Sequence, residues 1–301
     1  MSVITGVSAG GGCYSPALTD FVVMTRESQM SLTAPKVVRE VQSEDVTAEE
    51  LGSHRVHSRN GVCHFVAKDD TEATMLVRDL LVYLPQNAWE APLRIEPEPA
   101  PGDPAGRFPK ASRQVYDVRD VVRAIVDGGG VLEVAPRWAR NVVTAFARID
   151  GRAVGIVANQ PRYLGGVIDL HASQKAARFV RSVPKLTVVL RKAFGGAFIG
   201  RTSARTSFTR GRAQKIGIMG RGAGVLDHSP PDLAAASDPA ALKRRFAAEY
   251  RQEHLLANAA ASDGVVDEVI APNDTRSRLA AALAALEQLL GPLGGHGNIP
   301  L

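Results

Sequence analysis

Short apolar segments that alternate with helical segments constrain most strongly what this chain can fold into. Residues 21–24, 142–146 and 186–190 are apolar runs of strand length, and such runs are typical of strands that are buried on both faces. Helical spacing of apolar residues follows Asp70, and a further helix is predicted across residues 173–181. Buried strands alternating with helices predict an α/β fold built on parallel sheets.

A proline-rich segment, residues 86–113, divides the chain into two parts. It offers few apolar residues that could be buried, so we predict that it is a linker. The sequence therefore predicts a first domain in residues 1–85 and a second in residues 114–301, which matches the roughly two domains expected for 301 residues.

Composition excludes several classes of protein. No run of about 18 uncharged apolar residues occurs, so we expect no membrane partner. Two cysteines, Cys13 and Cys63, are too few for a disulfide framework or a four-ligand zinc site, which favours a reducing, cytoplasmic setting. Aromatic residues make up 5% of the chain and the net charge is +5. These values argue against a nucleic-acid partner and suit either a polyanionic small ligand or a merely basic surface.

Two glycine turns share one design, in which a predicted strand is followed by small residues and then by a predicted helix. The first contains Gly10, Gly11 and Gly12, and the second contains residues 195–197. Small residues at such a turn let a ligand approach backbone N–H groups at the positive end of a helix. Two such donors aimed at one oxygen form an oxyanion hole, which stabilises the enolate of a thioester. A simple tight turn is the alternative at each place, but the repetition suggests a duplicated domain.

Longer motifs surround these turns and follow one another along nearly the whole chain. They are Val7-Ser-Ala-Gly-Gly-Gly-Cys-Tyr-Ser-Pro-Ala-Leu-Thr-Asp20 within residues 1–20, Glu44-Asp-Val-Thr-Ala-Glu-Glu-Leu-Gly52, Asn60-Gly-Val-Cys-His64, Tyr116-Asp-Val-Arg119, Val154-Gly-Ile-Val-Ala-Asn-Gln-Pro161, Asp169-Leu-His-Ala-Ser-Gln-Lys-Ala-Ala-Arg-Phe-Val-Arg181, Leu190-Arg-Lys-Ala-Phe-Gly-Gly-Ala197 and the tail at 296–301. In these motifs the chain resembles the β subunits of biotin-dependent acyl-CoA carboxylases, the propionyl-CoA carboxylase and methylmalonyl-CoA carboxyltransferase family. The resemblance implies two crotonase-like (ClpP/crotonase) domains, of which the first is incomplete here.

The resemblance also implies roles for the two turns in carboxyl transfer. The backbone amides of Gly11 and Gly12 would hold the thioester oxygen of acyl-CoA. Those of Gly196 and Ala197 would hold the ureido oxygen of carboxybiotin, and Ile199 would shape the pocket for the acyl chain.

Further binding residues are candidates because they lie in or beside the glycine turns or at the carboxyl end of a predicted strand, and the partners follow from the same resemblance. Gly10, Tyr14, Gly195 and Asn159 are the additional substrate-binding candidates. The alternative interpretation of Tyr14 is a packed tyrosine, and that of Asn159 is an amide with a structural hydrogen bond. Biotin would arrive on a separate biotin carrier protein or with a biotin carboxylase subunit. The chain would work as a homo-oligomer or in a complex with a complementary β chain.

The chain departs from the family pattern in two places. It begins almost at the first glycine turn, and Ser182-Val183 joins Arg181 directly to Pro184 where the family has an additional strand, loop and helix. Two alternatives therefore stand beside carboxyl transfer. One is a biotin-independent thioester enzyme that performs acyl transfer, decarboxylation or hydrolysis, and the other is a non-catalytic partner subunit.

Other polar side chains give weaker signals. His54 and His57 have a spacing that suits metal ligands on a helix, but no third ligand is convincing, so no metal is expected. Cys63 and His64 resemble a nucleophile pair, although adjacent residues of a strand point to opposite faces. The basic stretch 201–215 would suit phosphates of CoA or an acidic carrier, or would be a solvated loop.

Overall fold

The structure is a computed structural model that describes residues 1–87, 90–109, 114–180, 186–189, 192–194, 206–210, 215–217, 237–254, 256–262 and 266–289. The chain divides into two compact units. Unit 1 contains Met1–Gly102 and Val115–Ser182, and unit 2 contains Asp103–Gln114 and Val183–Leu289. The domain limits placed by sequence at 85/86 and 113/114 stay a prediction.

Parallel strands form the first part of unit 1. The strands are β1 (Ser2–Ile4), β2 (Val7–Ala9), β3 (Val22–Thr25), β4 (Gln29–Ser31) and β5 (Phe65–Ala67). Strands β1, β3 and β5 form one parallel sheet in the order β1-β3-β5, and β2 pairs with β4 in parallel. All four residues of β3 are buried, as expected for a central strand covered on both faces.

The helices of unit 1 begin and end largely where local signals predict. They are α1 (Gly11–Ala17), α2 (Pro35–Gln42), α3 (Ala48–Gly52), α4 (His54–Asn60), α5 (Asp70–Leu81), α6 (Val118–Arg123) and α7 (Leu170–Phe179). Pro35 occupies the first turn of α2. Thr47 and Glu50 form a reciprocal capping box that opens α3. Asp117 caps α6 through the N–H of Arg119.

One sheet of unit 1 corrects the expectation from sequence. Strands β6 (Val131–Val134), β7 (Val142–Ile149) and β8 (Arg152–Asn159) pair in antiparallel order. The expected parallel arrangement is wrong here because β7 and β8 are joined by Asp150 and Gly151 alone, and parallel neighbours need a crossover of a dozen or more residues. Both turn residues have positive φ, 55° and 73°, as a tight two-residue hairpin requires.

One core cluster of unit 1 joins residues from both sides of the proline-rich segment. Val23, Phe65 and Leu80 pack with Val134 and Trp138 in this cluster. A second cluster lies beside the first glycine turn and contains Cys13, Met24, Met30 and Cys63 among others. The first turn is therefore supported by buried apolar side chains that pack against Cys13.

Unit 2 also contains parallel strand pairs. Its elements are β9 (Leu186–Val189), β10 (Lys192–Phe194), β11 (Thr206–Arg210), β12 (Lys215–Gly217), α8 (Pro239–His254), α9 (Ala257–Ser262), β13 (Glu268–Ile270) and α10 (Thr275–Leu289). Strands β9, β11 and β13 form a parallel sheet in the order β13-β11-β9, and β10 pairs with β12 in parallel. The predicted strands at 186–190 and 265–270 and the two predicted C-terminal helices are confirmed, with ends shifted by a few residues.

Within the described ranges, no helix has both the length and the apolar character needed to cross a bilayer.

Candidate functional site

The first glycine turn lies between β2 and α1. The N–H of Gly10 donates to the carbonyl oxygen of Ser31 at 3.0 Å, which continues the pairing of β2 with β4 by one residue. Gly10 has φ +58° and ψ −130°, a conformation that side chains other than hydrogen rarely allow. The chain thus turns sharply out of the sheet and enters the helix at Gly11.

Gly11 and Gly12 supply the first two N–H groups of α1. Helix geometry gives these groups no partner inside the helix, and neither has a hydrogen-bond partner anywhere in the described part of the chain. Both residues are exposed. A Cβ built on Gly11 would meet no atom within 4 Å. Two adjacent donors are therefore open to an incoming oxygen.

Side chains on either side of the turn hold its carbonyl groups. The carbonyl oxygen of Gly10 accepts hydrogen bonds from the backbone N–H of Cys13 at 3.1 Å and from its Sγ at 2.9 Å. The hydroxyl of Ser8 donates to the carbonyl oxygen of Gly12 at 2.9 Å. The carbonyl groups of Gly10 and Gly12 are thus held, whereas the N–H groups of Gly11 and Gly12 have no partner among the described residues.

Of the remaining predicted site residues, the structure describes Tyr14 and Asn159 but not those of the second turn. Tyr14 lies on α1 beside the turn and is 58% exposed, so it is not a packed core tyrosine. Asn159 ends β8, where its side-chain amide donates to the carbonyl oxygen of Gly166 at 2.6 Å. Gly195, Gly196, Ala197 and Ile199 lie outside the described residues, as do the first five residues of the basic stretch 201–215 and its segment 211–214.

A buried polar network near the end of β8 was not predicted as a unit. Gln160 is fully buried; its side-chain oxygen accepts from the N–H of Val118, and its nitrogen donates to Asp117 at 2.5 Å. Burial alone would raise the pKa of Asp117, but hydrogen bonds from Gln160 and Arg119 outweigh it and lower that pKa. The only sequence signal was the Asn-Gln pair at the carboxyl end of a strand.

Three of the other polar candidates, His57, Cys63 and His64, have structural partners, whereas the buried Nδ1 of His54 has no hydrogen-bond partner among the described residues. The Nε2 of His57 lies 2.6 Å from the carbonyl oxygen of Met30, which fixes α4 to β4. The Sγ of Cys63 donates to the carbonyl oxygen of Phe65, and burial raises the pKa of this thiol to about 12. The Nδ1 of His64 accepts the N–H of Val22, and burial lowers the pKa of His64 to about 4. A neutral imidazole and a protonated thiol with these separate partners do not form a nucleophile pair.

Among the residues that the structure describes, no cluster of three or more His, Cys, Asp or Glu side chains is arranged to hold a metal ion.

Comparison with known proteins decides the family. The family model of the carboxyl transferase domain matches residues 1–183 and 181–291. The chain belongs to the carboxyltransferase family. The two matches meet at the junction where the sequence predicts a missing segment, between Arg181 and Pro184.

Relatives in this carboxyltransferase family match the entire chain. The methylmalonyl-CoA carboxyltransferase 12S subunit of Propionibacterium freudenreichii subsp. shermanii is 37% identical over 352 aligned positions, which cover 100% of this chain and 67% of the relative. The propionyl-CoA carboxylase carboxyltransferase subunit of Haloferax mediterranei is 38% identical and is covered to 69%. The chain is therefore shorter than these relatives.

A solved structure gives the same result for the fold. Transcarboxylase 12S, described as a hexamer with methylmalonyl-coenzyme A and methylmalonic acid bound, superimposes with a TM-score of 0.91 at 36% identity. The match covers 99% of this chain and 68% of that chain. The predicted α/β, crotonase-like fold of this carboxyltransferase-family chain is thereby confirmed.

Proposed function

We propose that this chain is an acyl-CoA carboxyltransferase component, which transfers a carboxyl group between biotin and the α-carbon of an acyl-CoA. The relatives named above are subunits of enzymes that act on methylmalonyl-CoA and propionyl-CoA. The observation that carries the proposal within this chain is the pair of open N–H donors at Gly11 and Gly12.

The two donors supply the main catalytic contribution of the described residues. Loss of an α-proton, or of a carboxyl group, from an acyl thioester leaves an enolate whose negative charge lies on the thioester oxygen. Two fixed N–H groups stabilise that oxygen more than they stabilise the neutral carbonyl of the ground state. Each donor is expected to contribute about 2.7–4 kcal/mol to lowering the barrier.

Gly10 and Tyr14 complete the acyl-CoA side of the site. Gly10 gives the turn the backbone conformation that leaves the donors exposed, and the exposed Tyr14 is positioned next to them to contact bound substrate. Asn159 is a further substrate-binding candidate, with its amide held by the carbonyl oxygen of Gly166.

The second turn would serve the biotin side. Gly196 and Ala197 are assigned as donors to the ureido oxygen, with Gly195 beside them and Ile199 at the acyl chain. When bound, biotin supplies or accepts the carboxyl group. It is brought by a separate carrier protein or with a biotin carboxylase subunit, and the chain acts as an oligomer of itself or with a complementary β chain.

The test uses the purified chain with methylmalonyl-CoA and biocytin, a soluble biotin derivative. The propionyl-CoA formed is measured by chromatography, with and without biocytin. We expect product to depend on biocytin. Equal product without biocytin would instead establish a biotin-independent thioester activity. No product from the chain in either arm, and no product beyond that of a full-length β chain alone when one is added, would overturn the proposal and leave a non-catalytic subunit.

A further inference from the structure

Cys13 makes two contacts with the turn that carries the donors. Its backbone N–H and its thiol both donate to the carbonyl oxygen of Gly10, at 3.1 and 2.9 Å. The side chain is 4% exposed and packs in the apolar cluster beneath the turn. A buried thiol that donates to a backbone carbonyl fixes that carbonyl from the interior of the protein.

The direction of the Gly10 carbonyl determines the direction of the Gly11 N–H. The two groups belong to one planar peptide unit. They point in opposite directions because this peptide bond is trans, like the other peptide bonds of the described residues. Drawing the Gly10 carbonyl toward Cys13, into the protein, therefore turns the Gly11 N–H outward.

We infer that Cys13 is a positioning residue, whose thiol holds the Gly10–Gly11 peptide so that the Gly11 N–H faces the thioester oxygen. This inference rests on the proposed function of the turn. Three consecutive glycines have more backbone freedom than any other tripeptide, and a donor pair stabilises an oxyanion well only when its direction is fixed before the reaction. Cys13 supplies that restraint without placing a side chain in the substrate's path.

Ser8 restrains the peptide unit between Gly12 and Cys13. Its hydroxyl donates to the Gly12 carbonyl at 2.9 Å. That carbonyl shares a peptide unit with the N–H of Cys13, which in turn donates to the Gly10 carbonyl. Ser8 thus orients the backbone half of the double contact, while the thiol of Cys13 supplies the side-chain half.

Cys63 provides a matched control within the same apolar cluster. Its side chain is 1% exposed, and its Sγ also donates to a backbone carbonyl, that of Phe65 at 3.1 Å. Phe65 belongs to β5 and not to the glycine turn. A merely structural role for buried thiols would give Cys13→Ala and Cys63→Ala the same consequences.

The experiment compares wild type with Cys13→Ala, Cys13→Ser, Ser8→Ala and Cys63→Ala. Three quantities are measured: the melting temperature, kcat and KM in the biocytin-dependent assay, and the infrared stretching frequency of the carbonyl in bound ¹³C-labelled propionyl-CoA. A donor pair that points at the oxygen weakens the carbonyl bond and lowers this frequency, and the frequency is read without turnover.

For Cys13→Ala we expect kcat to fall roughly tenfold with KM within about twofold, well short of the roughly 10²- to 10³-fold loss for removing a donor. The carbonyl frequency should shift back toward that of free propionyl-CoA. Ser8→Ala should act in the same direction, and Cys13→Ser, which keeps an O–H donor, should restore most of kcat and of the frequency shift. Cys63→Ala should lower the melting temperature while leaving kcat and the frequency unchanged.

The failure of this inference can be told apart from failure of the proposed function. If wild type binds propionyl-CoA with a lowered carbonyl frequency and Cys13→Ala retains that frequency, the positioning role is wrong while the site stands. If wild type neither turns over methylmalonyl-CoA nor lowers the frequency, the proposed function itself fails. Should Cys13→Ala not fold, Ser8→Ala carries the test with Cys13→Ser as its control, and a folded Ser8→Ala chain with the kcat and the carbonyl frequency of wild type would refute the inference.

Discussion

Arg119 and Glu133 face each other through two parallel hydrogen bonds. The Nε and one terminal nitrogen of the Arg119 guanidinium each lie 2.7 Å from a different carboxylate oxygen of Glu133. Both side chains are 19% exposed. The pair joins α6 to β6, and it therefore ties the helix capped by Asp117 to the antiparallel sheet.

We expect Arg119→Lys to lower the free energy of unfolding by about 1.5–3 kcal/mol, because an ammonium group cannot make the two parallel bonds. Urea unfolding measures the change. Arg123→Lys is the control, since Arg123 reaches Asp120 at 3.5 Å with both side chains more than half exposed, and its effect should stay within about 0.5 kcal/mol. Equal losses of unfolding free energy in the two variants would show that the two parallel hydrogen bonds add no stability beyond that of an exposed ion pair.

A buried lysine gives the stability of unit 1 a dependence on pH. Lys175 is 3% exposed, and its Nζ donates to the carbonyl oxygens of Trp138 and Val142 at 2.9 and 2.8 Å. Burial lowers its pKa to about 8, while Glu133 raises that pKa and Arg119 lowers it. Below pH 8 the lysine is protonated in both the folded and unfolded chain. Between about pH 8 and 10.4 the unfolded chain binds more protons, so this residue makes stability rise with pH.

We expect Lys175→Met to remove this rise. Cys63 and Tyr83, whose pKa values burial raises, act in the opposite direction in the same range. The quantity to measure is therefore the difference in unfolding free energy between wild type and Lys175→Met at pH 7 and pH 10. It should change in favour of wild type by up to about 3 kcal/mol. A difference that does not vary with pH would mean that Lys175 keeps an ordinary pKa.

Gly61 supports the core at a position where no side chain fits. Its φ is +91°, and a Cβ there would lie 2.6 Å from Cδ2 of the buried Trp138. We expect Gly61→Ala to lower the free energy of unfolding by about 2 kcal/mol or more, since strain and overpacking add. Gly6→Ala, where a Cβ meets nothing within 4 Å, should change stability by less than about 1 kcal/mol. Thermal or urea unfolding of both variants decides the matter, and a neutral Gly61→Ala would contradict the close packing.

Local signals predicted the parts of the fold that depend on neighbours in sequence. The reciprocal cap of Thr47 and Glu50 and the proline at the start of α2 needed no tertiary information. The sheet of β6, β7 and β8 was misjudged because β7 is buried almost throughout, which is typical of parallel strands. The Asp150-Gly151 turn was the signal that would have corrected it.

The candidate site likewise has parts that the sequence predicts and parts that only the folded structure shows. Small residues after a strand predicted the open turn at Gly11 and Gly12 from sequence alone. The thiol contact of Cys13 joins residues only three positions apart, but the burial of this thiol depends on the apolar cluster that includes Met24 and Met30. The bond between Asp117 and Gln160 joins residues 43 positions apart, so it required the folded arrangement of α6 and β8.

Gly11→Pro tests the donor pair at a single atom. Gly11 is the first residue of α1, where proline is well tolerated because the N–H that it removes has no partner inside the helix. We expect the helix to persist and kcat for biocytin-dependent transfer to fall by about 10²–10³-fold, with a smaller change in KM. Gly11→Ala is the matched variant, since it keeps the N–H and adds a methyl group where no protein atom lies within 4 Å. Its kcat should exceed that of Gly11→Pro by at least about tenfold. Circular dichroism confirms folding of both variants, and a folded Gly11→Pro chain with wild-type kcat would exclude the Gly11 N–H from the reaction.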